Sequence, residues 1–297
     1  MRRVVVTGIS GYVGGTVAMR LRERGYEVRG LVRREEAAVA LERLGFGVIR
    51  ATLQDADALR AAADWGEAIV HTADSDDPAV AARLVAALRG TGKTLVYTSG
   101  SAIVANRARP ETAAFVYAED FPLETTDSIS FGGRIAVNRS VQRAALHGVR
   151  SIVIVPGMVY GAGALLSRES KQIPLLVRTA RRLGHAVQVE DGRRRWSTVH
   201  VDDLAELYLL ALEGARPGEL FFAENGTVSF HELAAAIQRC LGFAGEPVSL
   251  SLAQATALWD EMTAATAMGS DCRIDATKAR LQLGWRPTHA SPLPYID

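Results

Sequence analysis

Strong charge of either sign is missing from this 297-residue chain, where 34 Lys and Arg meet 33 Asp and Glu for a net of +1. That balance gives no electrostatic reason to bind nucleic acid or an anionic membrane surface. Cysteine is scarce. Cys240 and Cys272 stand far apart in no metal-like spacing, so a disulfide framework or a zinc site is not expected, and two free thiols suit a reducing compartment. No apolar run is long enough to cross a bilayer, and no leader precedes the first apolar strand. A soluble, cytoplasmic protein is the expectation. Internal repeats and low-complexity tracts are absent as well. What is present is core material: 48% of the residues are hydrophobic, enough for one large domain or a domain with a smaller lobe.

Strand-like and helix-like segments alternate over the first 155 residues, which predicts a parallel sheet covered by helices on both faces. Strands are expected near 3–7, 27–32, 47–50, 68–72, 94–98 and 151–155, and helices near 12–24, 35–44, 56–63, 77–89 and 130–147. Residues 105–128, with Pro110 and Pro122, interrupt the rhythm with a connection long enough to be functional. Later helices fall near 169–183, 202–213, 230–241 and 251–266. The expected fold is α/β: a Rossmann-type doubly wound parallel sheet in residues 1–160, to which segments near 185–225 could contribute. A smaller C-terminal α/β substrate lobe would fill 161–297, with a small-molecule substrate between the two.

The most informative stretch is Val4-Val5-Val6-Thr7-Gly8-Ile9-Ser10-Gly11-Tyr12-Val13-Gly14-Gly15. A β-branched run stops at glycines spaced G-x-x-G-x-x-G, and a helical pattern starts at once. One glycine turns the chain, another lets backbone approach a pyrophosphate, and a third packs helix on strand. Backbone N–H groups at the helix start then face phosphate charge. In a site built for NAD, an acid about 20 residues further on holds the ribose 2′-hydroxyl. Here the second strand ends in Arg33-Arg34, with Glu35 and Glu36 only after them. The arginine fork suits a 2′-phosphate, so NADP is expected in preference to NAD. Asp55 can accept from an adenine amino group or simply cap a helix.

Together with segments further on, these residues resemble the extended short-chain dehydrogenase/reductase family, of the NAD(P)-dependent epimerase/dehydratase type. Ile69-Val70-His71-Thr72-Ala73 is similar to its fourth-strand motif, and Leu95-Val96-Tyr97-Thr98-Ser99-Gly100-Ser101 to its fifth. Pro156-Gly157-Met158-Val159-Tyr160-Gly161, Val199-His200-Val201-Asp202-Asp203 and Lys278-Ala279-Arg280-Leu281 through Gly284-Trp285-Arg286-Pro287 resemble three later motifs. The resemblance implies cofactor contacts from Gly8, Ser10, Gly11, Tyr12, Val13, Gly14, Thr72, Ala73, Ser99, Pro156, Met158 and Val159. It also implies pairing of two chains through the helices near 77–89 and 130–147.

One departure stands out. The family's catalytic Tyr-x-x-x-Lys lies on the helix after the long loop, where this chain has Ser130 and Arg134. The i, i+4 spacing keeps both on one helix face. A serine hydroxyl titrates far above tyrosine, and arginine's permanent charge bars it from shuttling protons. Arg134 can still hold ribose hydroxyls. Ser101 is the expected substrate-side hydroxyl, although it could equally cap backbone. Tyr117 is a candidate replacement acid. Arg193-Arg194-Arg195-Trp196 could clamp an anionic group or be a solvated run, and Phe121, Phe131 and Trp259 could line a pocket or the core. His71, Tyr160 and His200 are expected to be structural. The reading is an NADP(H)-binding oxidoreductase or epimerase/dehydratase acting on a small carbonyl, alcohol or sugar-like substrate. The alternative is a non-redox protein on the same fold, either a cofactor-sensing regulator or an enzyme of another reaction class.

Overall fold

The computed structural model describes residues 2–107, 115–122 and 132–296. Its central sheet takes strands β1 (Arg3–Thr7), β2 (Glu27–Val32), β3 (Gly47–Arg50), β4 (Ala68–His71), β5 (Thr94–Thr98), β6 (Arg150–Pro156) and β10 (Glu219–Ala223), in the order β10-β6-β5-β4-β1-β2-β3. Every neighbouring pair is parallel. The chain runs outward from β1 through β2 to β3, then returns to β4 on the other flank. The carboxyl ends of β1 and β4 therefore flank a topological switch point, the crevice where such sheets bind ligands.

Alternation along the strands builds two cores. Val5, Ile69, Leu95 and Val153 face one layer, packed with Leu59, Leu84 and Val141 from α3 (Ala56–Trp65), α4 (Pro78–Leu88) and α5 (Gly132–Arg143). Val4, Val6, Val70, Val96 and Ile154 face the other, packed with Val17, Leu41 and Tyr208 from α1 (Tyr12–Glu23), α2 (Glu35–Arg43) and α7 (Val201–Gly214). Each such side chain contributes about 1.5–3 kcal/mol on burial. Trp285, past α10 (Thr277–Leu283), is buried in the second core and donates Nε1–H to the Asp203 carbonyl at 2.8 Å.

The remaining strands form two small sheets. One has the order β11-β9-β7, from β7 (Met158–Tyr160), β9 (Arg195–His200) and β11 (Thr227–Ser229); the other pairs β8 (Val187–Val189) with β12 (Val248–Leu250). Helices α6 (Gln172–Leu183), α8 (Phe230–Cys240) and α9 (Leu252–Leu258) complete this part. The single helix expected over 251–266 is two pieces. A Ser251/Gln254 capping box starts α9, and Trp259 leaves helical geometry at φ −117°, ψ −90°. Asp260 then starts a new π-helical turn by accepting the Thr263 N–H at 2.8 Å and its hydroxyl at 2.7 Å. The side chain that opens the second piece competes for the backbone that would have continued the first.

Candidate functional site

The glycine turn sits at the switch point. Gly8 has φ +79°, which favours glycine, and its carbonyl accepts the Gly11 N–H at 2.8 Å. A methyl on Gly14 would lie 2.3 Å from Thr72 Oγ1 and 2.4 Å from the Gly8 oxygen, so α1 rests directly on the turn and on β4. Thr72 is fixed there because its hydroxyl donates to the Thr7 carbonyl at 2.8 Å. Gly11 is the N-cap of α1. It offers no side-chain cap, and the first turn carries no acidic residue. Helices α3, α4, α7, α8 and α9 are capped by side chains instead. The N–H groups and positive dipole end at the start of α1 therefore suit an anion. Ser10, Tyr12 and Val13 are half-buried around the turn. Tyr12 donates its hydroxyl to the Gly161 carbonyl at 2.8 Å, tying the far wall of the crevice to α1.

At the end of β2, Arg33 and Arg34 are exposed and, among the described residues, neither guanidinium has a hydrogen-bond or ion-pair partner. Glu35 is turned away onto Arg50. Asp55 is the N-cap of α3 and accepts the Ala58 N–H at 2.9 Å. One carboxylate oxygen thus serves the cap, as the helix-cap reading required.

Ser99 and Ser101 follow the end of β5. Ser99 is buried, and its hydroxyl has no partner among the described residues. Such a group is costly unless something arrives to satisfy it. Ser101 is buried at the start of a short 3₁₀ turn, and its carbonyl accepts from the Cys272 thiol at 3.1 Å. Arg134, on the first turn of α5, lies over Gly100: a methyl on that glycine would meet Nη1 at 3.1 Å. Its Nε and Nη2 donate to the two oxygens of Asp76, both at 2.6 Å. This bidentate pair holds the Asp76 carboxyl below the usual carboxylate range. Asp76 lies in the polar stretch after β4, and nothing in its local spacing marks it as Arg134's partner. Asn138, one turn further along α5, is buried with neither amide atom partnered among the described residues. Ser130 and Phe131 lie outside the described residues.

Pro156 closes β6, and Met158 and Val159 open β7 beyond Gly157. Gly157 approaches β9 so closely that a methyl there would lie 2.4 Å from the Ser197 carbonyl oxygen. Met158 is buried and Val159 half-buried. Thr72 is half-buried and Ala73 exposed on the opposite wall.

The residues expected to be structural are held as such. His71 is buried between the Asp74 carbonyl, 2.8 Å from Nε2, and the Thr7 hydroxyl, 2.7 Å from Nδ1. A carbonyl only accepts, so Nε2 carries the proton, and burial pushes the imidazole pKa down. His200 caps α7 by accepting the Asp202 N–H at 3.2 Å and stacks on His289 at 4.0 Å. Burial and that neighbour hold its pKa down. The Tyr160 hydroxyl donates to the His289 carbonyl at 2.7 Å.

Tyr117 is placed away from solvent, with its backbone bonded to Arg273 and Asp275 and its ring edge-on to Phe115 and Phe121. It anchors residues 115–122 to the C-terminal part. Trp259 packs on the core and donates to Thr179 Oγ1 at 3.0 Å. The basic run is neither a free clamp nor a solvated stretch. Arg194 pairs with Asp271 at 3.1 Å, Arg195 pairs with Glu232 at 2.9 Å, and the buried Trp196 donates to the Ser270 carbonyl at 2.9 Å. Only Arg193 is largely exposed. No span fit to cross a membrane and no metal-binding cluster occurs among the described residues.

A family model described as the NAD dependent epimerase/dehydratase family matches residues 4–221. An uncharacterised protein of Schizosaccharomyces pombe is 29% identical over 97% of this chain and 96% of its own length. A 4-hydroxy-2-methyl-3-oxo-4-farnesyl-3,4-dihydroquinoline-1-oxide ketoreductase of Stigmatella aurantiaca is 28% identical over 98% of this chain and 94% of its own. The crystal structure of dTDP-glucose 4,6-dehydratase from Bacillus anthracis in complex with NAD superposes with a TM-score of 0.78. It covers 100% of this chain and 95% of that one at 16% identity, a likeness of fold.

Proposed function

The chain belongs to the NAD dependent epimerase/dehydratase family, and from that premise we propose that it is an NADP(H)-dependent oxidoreductase or epimerase/dehydratase of a small carbonyl, alcohol or sugar-like substrate. The observation that carries the cofactor choice is the end of β2, where two exposed guanidiniums stand without a partner among the described residues and the adjacent Glu35 is bound elsewhere. Ser10 through Gly14 receive the pyrophosphate on the uncapped start of α1. Arg33 and Arg34 receive the 2′-phosphate, and Asp55, Thr72, Ala73, Ser99, Pro156, Met158 and Val159 line the path from adenine to nicotinamide. When bound, the nicotinamide supplies or takes up hydride.

The chain's own residues divide the rest of the work. Arg134, fixed by Asp76 above Gly100, holds ribose hydroxyls as a permanent donor. Ser101 orients the substrate oxygen. Ser130 occupies the sequence position of the family's proton donor but cannot match its acidity, so the proton passes through a bound water or a substrate group. A small-molecule substrate and a homodimer fit this reading, in a cytoplasmic setting.

Purified protein mixed with NADPH and a panel of aldehydes, ketones and sugar nucleotides tests the reading by loss of reduced-nicotinamide absorbance or by product isomerisation. Turnover of a member of the panel is expected; tight NADPH binding with no turnover at all counts against it. A second reading, a non-redox protein on the same fold, is favoured by the absent tyrosine and lysine at Ser130 and Arg134. It predicts that Ser130→Tyr with Arg134→Lys improves no activity, whereas a large gain in carbonyl reduction speaks for the dehydrogenase.

A further inference from the structure

The end of β2 is shaped by a residue on the next strand. Arg50 closes β3, and in the parallel register it stands opposite Val32, the residue just before Arg33. Its guanidinium takes two carboxylates at once. Nε and Nη2 reach Glu35 at 2.9 and 3.2 Å, while Nη1 and Nη2 reach Glu42 at 2.8 and 3.1 Å. Glu35 and Glu42 lie seven residues apart on α2, two turns on one face, which is why a single fork spans both. These hydrogen bonds hold both carboxyls below their ordinary range.

Arg33, Arg34, Arg43 and Arg50 stand here against Glu35, Glu36 and Glu42. Their arrangement is uneven. The guanidiniums next to the crevice are unpartnered among the described residues, whereas two of the three acids are drawn onto Arg50. We propose that Arg50 determines cofactor specificity from a distance: braced by Glu42, it withdraws Glu35 from the β2 end, so that Arg33 and Arg34 meet a 2′-phosphate without a competing carboxylate. Arg50 touches neither the phosphate nor the ribose in this account. It acts through Glu35, the nearer acid, which when released would oppose the phosphate and could accept from an unphosphorylated 2′-hydroxyl. The inference rests on the NADP reading above.

Dissociation constants for NADPH and NADH, measured by fluorescence titration of the whole protein, test it. The wild type is compared with Arg50→Met, Glu35→Gln and the double variant, with thermal unfolding to verify that each is folded. The wild-type preference for NADPH tests the cofactor reading alone; an equal or greater affinity for NADH refutes that reading and leaves Arg50 no preference to confer. With the preference in place, Arg50→Met is expected to lower it by about three- to tenfold, an effect that shrinks at high salt. Adding Glu35→Gln is expected to recover most of the loss, and Glu35→Gln alone to change little. An unchanged preference in Arg50→Met overturns the proposal. So does a double variant as poor as Arg50→Met, because Arg50 would then act on the phosphate itself.

Discussion

Gly14→Ala is the substitution the cofactor turn should tolerate least. The new methyl would lie 2.3 Å from Thr72 Oγ1 and 2.4 Å from the Gly8 oxygen, where ordinary contact begins at 3.4 Å. Neither neighbour can step aside. Thr72 is bonded to the Thr7 carbonyl, and the Gly8 oxygen accepts from Gly11. Relief therefore requires α1 to withdraw from the switch point by about 1 Å, a strain worth about 1–3 kcal/mol. Alanine's better helix propensity returns up to about 1 kcal/mol, so the net loss is about 0–3 kcal/mol, or up to roughly 12 °C in Tm. The functional loss should be larger, because withdrawal carries the helix N–H groups away from the phosphates. We expect NADPH affinity to fall by more than about tenfold, equivalent to about 1.4 kcal/mol. Gly133→Ala is the control: among the described residues nothing lies within 4 Å of its added methyl, and it sits in the first turn of α5. It should leave affinity unchanged and raise stability by up to about 1 kcal/mol. Calorimetry and fluorescence titration measure both. A Gly14→Ala protein with wild-type Tm and wild-type affinity would refute the packing argument.

Under native conditions one thiol per chain should react with an alkylating reagent: Cys240 is exposed, whereas burial pushes the Cys272 thiol up to about 12. Two thiols should react in denaturant, and mass spectrometry counts them. Asp76→Asn removes the carboxylate that pins Arg134; since Asp76 is largely exposed, the cost at neutral pH is about 0.5–1 kcal/mol. The Asp76 pKa is lowered in the folded state, so its contribution is present above the unfolded value of about 3.9 and fades as pH falls through the folded one. The Tm difference between wild type and Asp76→Asn should accordingly vanish in acid; a difference that grows there contradicts the pairing. Trp285→Phe keeps most of the ring but removes the Nε1–H that adds a second donor to the Asp203 carbonyl within α7, and should cost about 0.5–1.5 kcal/mol by denaturant unfolding.

What could be read from the chain beforehand follows from which interactions are local. The strands of the first half and the glycine turn were legible because alternation and glycine spacing are short-range patterns, and β1 through β5 fall where they were expected. His71 was legible as a structural residue because it ends a buried strand, and His200 because the family it resembles uses that strand-to-helix junction structurally. The break at Trp259 was not, because continuous helical periodicity says nothing of an Asp260 side chain that captures the next turn. Long-range pairings were also hidden. Asp76 finds Arg134 across 58 residues, and Arg50 finds Glu35 across a strand register. The arginines at 194 and 195 looked like a surface run until Asp271 and Glu232, distant in sequence, folded onto them. Fold was written in periodicity; the electrostatics of the site was written in contacts.

The most direct test of the account is the titration of the unmodified protein with NADPH and NADH. One NADPH per chain is predicted, bound at least about tenfold tighter than NADH, the discrimination of one good charge-assisted contact. Saturable binding of neither nucleotide would contradict the site at Gly8–Gly14, and equal or tighter binding of NADH would contradict the role given to Arg33 and Arg34.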